Sequence, residues 1–497
     1  MQCYLPLALL MQYFITCHSF LPFIHHHHHH RHRNKQGQPP NEATSFMSAQ
    51  FLAATSTLHS ELLADPFAME QHKRYTCSNR TLYPPSKMSR NGTLQVDSLH
   101  TIYYEEYGNN LNDTSNSSTT GTIALSLHGG PGAGSFPRHA QFFDPDKYQQ
   151  VILFDQRGCG KSIPRGETAN NTLQDLVNDI EILRIHLDVA KFDVVLGGSW
   201  GSTLALAYAQ SFPERVGSMV LRGVCLFRPQ EINWLFGNVD DEEIVIDGKT
   251  SCVSNKNKIG DAWVNFTKGV ANDGIEFEGG IRSVLKKYYN HLLGSDPVAR
   301  AIATKSWFRW EMGVSSFNNS LDIGKGRDMG DVIVWDKAKS SWLDRSGEVD
   351  NEIIDSLRRW PQRAPPLHSI SSAAKPKPLS QSNLSYNAGN LSKADAEKFV
   401  PAQAMLTCYY SVNDAFMMSD FQLLKKGNID RIRHIPCIAV QGARDFICPP
   451  DSALDLGEAW PEMECRIVTE GKHSMYDPRI LSELIDATDH IVAKGLN

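Results

Sequence analysis

Phe192-Asp-Val-Val-Leu-Gly-Gly-Ser-Trp-Gly-Ser-Thr-Leu-Ala-Leu-Ala-Tyr-Ala-Gln-Ser211 is the stretch on which the fold turns. Phe192 to Leu196 is a short apolar run, the pattern of a buried strand. Ser202 to Ser211 is rich in Ala and Leu and is closed by Pro213, which reads as a helix. Between them lies Gly197-Gly-Ser-Trp-Gly201, a G-x-S-x-G run. Strand, sharp turn and helix in that order form a nucleophile elbow, with Ser199 pushed out above the sheet. Gly197, Gly201 and Ser202 are small enough to let strand and helix approach closely. The helix N-terminus adds a partial positive charge beside any oxyanion formed there.

Strands and helices alternate on either side of the elbow. Leu94 to Tyr107 alternates like paired strands, and Asn109 to Thr120 is a polar loop. Ile123 to Leu127, Val151 to Phe154 and Met219 to Leu221 read as strands, and Leu173 to Leu187 has helical periodicity. The strand pattern stops after Phe227 and returns at Ile435 to Val440 and Cys465 to Val468. This predicts an α/β class, the α/β-hydrolase fold: a mostly parallel sheet, helices on both faces, and an inserted, mainly helical cap. The predicted core is 85–227 plus 427–497, and the cap is 228–426. A Pro- and Ser-rich insertion around 321–402 is expected to be disordered.

A serine nucleophile needs a base and an acid to orient it, in the chain order Ser, Asp or Glu, His. Asp445 follows the strand ending at Gln441, and His473 follows the strand ending at Val468. Asp451 and Asp455 compete for the acid's place, and His128 and His490 for the base's. The oxyanion donors are expected to be the Trp200 N–H and the Gly130 N–H, with Gly129 as an alternative. His128-Gly-Gly-Pro-Gly132 follows a strand directly and suits that task.

Bulk properties exclude several classes. The 497 residues carry a net charge of -6, with 41% hydrophobic and 21% charged residues. Nothing in that balance calls for nucleic acid. Ten cysteines lie singly, and neither a Cys-x-x-Cys pair nor a Cys/His cluster suggests a metal site. No metal and no organic cofactor is expected. Tyr4 to Phe23 is apolar and signal-like but has no basic start. His25 to His30 and Arg31-His-Arg33 follow, a low-complexity tract with weak metal-binding capacity. Residues 1–84 are expected to be a targeting or low-complexity region, pointing to the secretory pathway or a plastid. No later apolar stretch has the roughly 20 residues of a membrane span.

Several motifs together go beyond the fold. They are His128-Gly-Gly-Pro-Gly132, Asp155-Gln-Arg-Gly-Cys-Gly-Lys-Ser162, Gly197-Gly-Ser-Trp-Gly-Ser202, Pro213-Glu-Arg215, Leu221-Arg-Gly223 and Trp307-Phe-Arg-Trp-Glu311. With the stretches around Asp445 and His473, they make the chain resemble the proline iminopeptidases from about Leu94 onward. The resemblance implies a serine aminopeptidase that releases an N-terminal residue, preferably proline, through an acyl-enzyme. It implies peptide substrates with a free N-terminus, Glu311 as the carboxylate that holds their ammonium, and a cytoplasmic location.

The chain also departs from that family. Thr407 stands where a second cap glutamate is usual, and Cys225 where an aromatic packs on the prolyl ring. Asp414 is a nearby acidic substitute, and insertions at 238–258 and 321–402 enlarge the cap. An esterase or amidase of the same fold is the nearest rival, and a non-catalytic ligand-binding protein is a second.

Overall fold

The computed structural model describes residues 80–108, 121–236, 244–246, 249–251, 266–267, 270, 280–316, 332–336, 341–343, 354, 357–358, 401–417 and 422–495. The leader, the His tract, the loop 109–120 and the Pro-rich stretch 361–400 lie outside them.

Ten strands make the main sheet. They are β1 (Met88–Gln95), β2 (Thr101–Gly108), β3 (Thr122–Leu127), β4 (Tyr148–Asp155), β5 (Val194–Gly198), β6 (Met219–Arg222), β9 (Val332–Asp336), β10 (Ser341–Leu343), β11 (Cys437–Gly442) and β12 (Glu464–Val468). A separate two-stranded sheet pairs β7 (Ile244–Ile246) with β8 (Lys249–Ser251). The main order is β1-β2-β4-β3-β5-β6-β11-β12-β9-β10. From β4 to β12 every pairing is parallel, and both edges are antiparallel.

Successive residues of the central strands bury on opposite faces, which explains their near-continuous apolar sequence. Leu125, Val195, Leu221, Ala439 and Ile467 enter one apolar cluster, and Ala124, Val194, Leu196, Val220 and Val440 enter another. Helices α1 (Leu173–His186), α2 (Trp200–Ser211) and α8 (Pro450–Ala459) contribute to the first. Helix α9 (Pro478–Gly495) covers the second with Ile480, Leu484, Ile485 and Ile491. Thr172 caps α1 with Asp175 in a reciprocal capping box. The predicted elements around the elbow are therefore present, with ends moved by up to three residues.

The cap residues that are described form α3 (Pro229–Phe236), α4 (Gly280–Leu293), α5 (Pro297–Ser316) and α6 (Ala402–Val412); the short α7 (Lys426–Asp430) leads back to β11. Phe236, Phe266, Tyr288, Trp307 and Trp310 pack as one aromatic cluster, with ring centroids 4.5–6.1 Å apart.

One expectation needs correction. The stretch 321–402 was expected to be disordered, yet β9 and β10 arise inside it. β9 pairs antiparallel with β12 and extends the core sheet. Val332-Ile-Val-Trp-Asp336 is a β-branched run, and it buries Val332, Ile333 and Val334. Among the described residues no helix is long and apolar enough to cross a membrane.

Candidate active site

The elbow is built by close contact and backbone strain. A methyl group on Gly197 would collide with the carbonyl of Gly201, and one on Gly201 with the carbonyl of Leu127. Glycine at both positions lets β5, α2 and β3 meet here. Ser199 itself has φ 56, ψ -126, unusual for a residue with a side chain. It occupies the N-cap position of α2, but its hydroxyl makes no capping bond. The side chain is thus left for other work. Its Oγ lies 3.9 Å from the Cys448 thiol.

The predicted acid and base are in direct contact. His473 Nδ1 is 2.8 Å from Asp445 Oδ2. The Asp445 carboxylate is fully buried, and its Oδ1 accepts from the backbone N–H groups of Ile447 at 2.9 Å and Cys448 at 2.8 Å. These bonds fix the carboxylate and so the imidazole tautomer. The competitors are placed elsewhere. Asp455 is paired with Arg228 and Arg358. Burial and the nearby Asp455 push Asp451 up to about 7. His128 is buried behind the oxyanion loop, its Nε2 taking the Gln156 N–H at 3.1 Å. Burial pushes its pKa down. His490 lies on α9.

His473 Nε2 is not turned to Ser199 in this structure. His473 Nε2 accepts instead from Arg222 Nη1 at 3.2 Å, and the same Nη1 donates to the His473 carbonyl at 2.9 Å. Arg222 is 8% exposed, and its Nε has no hydrogen-bond partner. Burial pushes its pKa down against the pull of Asp445.

The loop after β3 runs against Ser199. A methyl group on Gly129 would lie 3.3 Å from Ser199 Cβ and 3.8 Å from its Oγ. Gly130 has φ +119, in the region open to glycine. The Asp155-Gln-Arg motif holds this loop in place. Asp155 Oδ1 accepts from Ser135 N at 2.6 Å and Oδ2 from Lys161 N at 2.7 Å. Gln156 donates to the His128 carbonyl at 2.9 Å and accepts from the Trp200 indole at 2.9 Å. The two segments carrying the candidate oxyanion donors, Gly130 and Trp200, are thus linked through one amide side chain.

The cap closes over this group from α5 and α6. Trp307 Nε1 donates to Glu311 Oε1 at 2.8 Å, and Gln403 Nε2 donates to Oε2 at 3.3 Å. Burial pushes Glu311 up to about 7, although the Trp307 bond opposes this. A methyl group on Gly132 would sit 3.0 Å from the Cα of Gln403. Glu311 is therefore one side chain removed from the oxyanion loop. Trp200 packs on Tyr410 of α6 with ring centroids 4.6 Å apart.

A family model for the alpha/beta hydrolase fold matches residues 125–242. The probable proline iminopeptidase of Leptolyngbya boryana is 35% identical over 418 residues, covering 84% of this chain and 99% of that protein. The proline iminopeptidase of Arabidopsis thaliana is 34% identical over 426 residues, 86% of each chain. That of Neisseria meningitidis serogroup B is 32% identical over 411 residues, covering 83% of this chain and 99% of that protein.

The chain belongs to the proline iminopeptidase family.

The positions at which it departs from the family pattern have defined surroundings. Thr407 is buried and donates to the Pro131 carbonyl at 3.1 Å, so it braces the oxyanion loop. Asp414 forms an ion pair with Arg282 at 2.6 Å, each side chain more than 40% exposed, which puts it on the outside of the cap. Cys225 is half-buried, its thiol donates to Glu231 Oε2 at 3.9 Å, and it neighbours the Cys448 thiol. This contact and burial push the Cys448 thiol well above its ordinary value.

Arg222, Cys448 and Gln156 escaped sequence reasoning as site neighbours. Leu221-Arg-Gly223 was visible as a family motif, but nothing in its spacing relates Arg222 to His473, 251 positions away.

Proposed function

We propose that this proline iminopeptidase family member is a serine aminopeptidase that releases an N-terminal residue, preferably proline. Ser199 is the nucleophile, His473 the base and Asp445 the orienting acid. The 2.8 Å contact of His473 with a backbone-anchored Asp445, beside the strained Ser199, carries the reading. Once Nε2 turns to Ser199 Oγ it takes the hydroxyl proton as Oγ attacks the first carbonyl of the peptide. The Trp200 and Gly130 N–H groups receive the oxyanion, each such donor supplying about 2.7–4 kcal/mol of barrier lowering. The amine leaves with the proton from His473, and water hydrolyses the acyl-enzyme by the same route in reverse.

Glu311 limits the reaction to the chain terminus. A carboxylate held at the cap's underside pairs with a free ammonium. The same reading divides the chain into a core of 85–227 and 427–497 and a cap of 228–426, which lends β9 and β10 back to the core sheet.

The test compares prolyl arylamide, N-acetylprolyl arylamide and a short-chain aryl ester, using wild type, Ser199→Ala and Glu311→Gln. Wild type is expected to spare N-acetylprolyl arylamide, and Ser199→Ala to lose both remaining activities. Glu311→Gln is expected to lose the free-amine substrate far more than the ester. Ester cleavage by a wild type inactive on prolyl arylamide would convert the reading to an esterase.

A further inference from the structure

On one side of Ser199 and His473 lies a cavity of about 210 Å³. It is walled by the oxyanion loop, Phe136, His139, Met475 and Arg222. Neither Glu311 nor Cys225 lines it. The cavity therefore does not reach the cap carboxylate, and it opens on Ser199 and His473 from the side of the oxyanion loop. Its lining contains Arg222 but no Asp, Glu or Lys. His139, also in the wall, is pushed down to about 3 by burial and so stays neutral.

Arg222 is costly in such a place. It is 92% buried by its 8% exposure, no carboxylate pairs with it directly among the described residues, and its Nε is unpartnered. A buried guanidinium is expected to have an anion as partner. Here its hydrogen-bond partners in the chain are an imidazole nitrogen and a carbonyl, both of His473.

The reaction supplies the missing anion. The departing amine must take its proton from His473 Nε2, so its nitrogen passes within hydrogen-bond reach of that atom. In a dipeptide the α-carboxylate carbon is two covalent bonds from this nitrogen, about 2.5 Å away. Arg222 Nη1 is 3.2 Å from the same Nε2.

We propose that Arg222 receives the α-carboxylate of the departing amino acid, which makes dipeptides the favoured substrate class of this site. This rests on the aminopeptidase reading and adds an opposite pole to it: Glu311 takes the ammonium, Arg222 the carboxylate. Turning the guanidinium onto a carboxylate also withdraws Nη1 from His473 Nε2. The imidazole is then free to face Ser199, so the substrate itself completes the Ser–His link.

The experiment compares kcat/KM for Pro-Ala and for its C-terminal amide, Pro-Ala-NH2, in wild type, Arg222→Lys and Arg222→Met, with prolyl arylamide as a common reference. Wild type is expected to favour the free acid by about tenfold or more, the worth of one charge-assisted contact. Arg222→Lys is expected to keep part of that preference, and Arg222→Met to bring the ratio close to one. A purely structural role for Arg222 would lower both substrates alike and leave the ratio unchanged, which overturns the proposal. So does a wild type that cleaves acid and amide equally while still cleaving prolyl arylamide; the aminopeptidase reading then survives alone. Failure to cleave any prolyl substrate removes both.

Discussion

Trp307 donates its indole N–H to Glu311 at 2.8 Å, one helical turn along α5. This bond favours the ionised carboxylate, while burial disfavours it and leaves the group at about 7. The ionised form is the one that can hold an ammonium. With Glu311 in its proposed role, raising the pH through about 7 creates the binding-competent enzyme, and lowering it protonates Glu311 and weakens capture of free-amine substrates. A pH profile of kcat/KM, which reports the free enzyme, is expected to show an acid limb near that value. One ionisation should vanish from the limb in Glu311→Gln. Trp307→Phe removes the bond that lowers the pKa, so its limb should move to higher pH. A limb unmoved in both variants would detach Glu311 from substrate capture.

Asp445→Asn keeps a side-chain oxygen for the Ile447 and Cys448 amides but loses the anionic partner of His473. The imidazole then loses its enforced tautomer. Turnover is expected to fall about 10⁴-fold, as in triads of the same logic. Circular dichroism and thermal unfolding should show the fold retained.

The two free thiols predict chemical sensitivity. Cys225 is the half-buried, reachable member, while the Cys448 thiol is pushed far above its usual range. Alkylation by a small maleimide should therefore fall on Cys225 first and block access to Ser199. Fluorophosphonate labelling of Ser199 is the readout. Cys225→Ala should label equally with and without maleimide treatment; continued blockage in that variant would place the reactive thiol elsewhere.

Gly201→Ala should be the most damaging small change near the elbow. The added methyl meets the Leu127 carbonyl, which belongs to β3 and cannot yield as a flexible side chain would. A loss of about 3 kcal/mol or more is expected, a size reserved for such backbone and packing conflicts. Urea unfolding of the purified variant measures it.

Much of the centre of the molecule was legible because its signals are local. Val194 to Ser211 carries strand, turn and helix in one continuous run, and Asp445 and His473 each follow a strand within a few residues. What stayed hidden depends on distant pairing. β9 reads as an isolated β-branched run in a polar insertion until β12 supplies its partner. Arg222 was read only as part of a motif, because its meaning lies in the direction of a side chain. Thr407 was noted for the glutamate it replaces, whereas the structure gives its hydroxyl to Pro131. The reading of Asp414 as a substitute for that glutamate failed for a similar reason: Arg282 of α4 draws it outward.

Thr407 and Gln403, both on α6, press on the loop from Gly129 to Gly132. The loop proposed to receive the oxyanion is thus shared property of two segments separated by more than 250 positions. This cap is not an interchangeable module. A chimera that exchanged it for a relative's cap would inherit a new specificity pocket only if it also inherited a matching glycine loop. The two parts must therefore change together as lineages diverge.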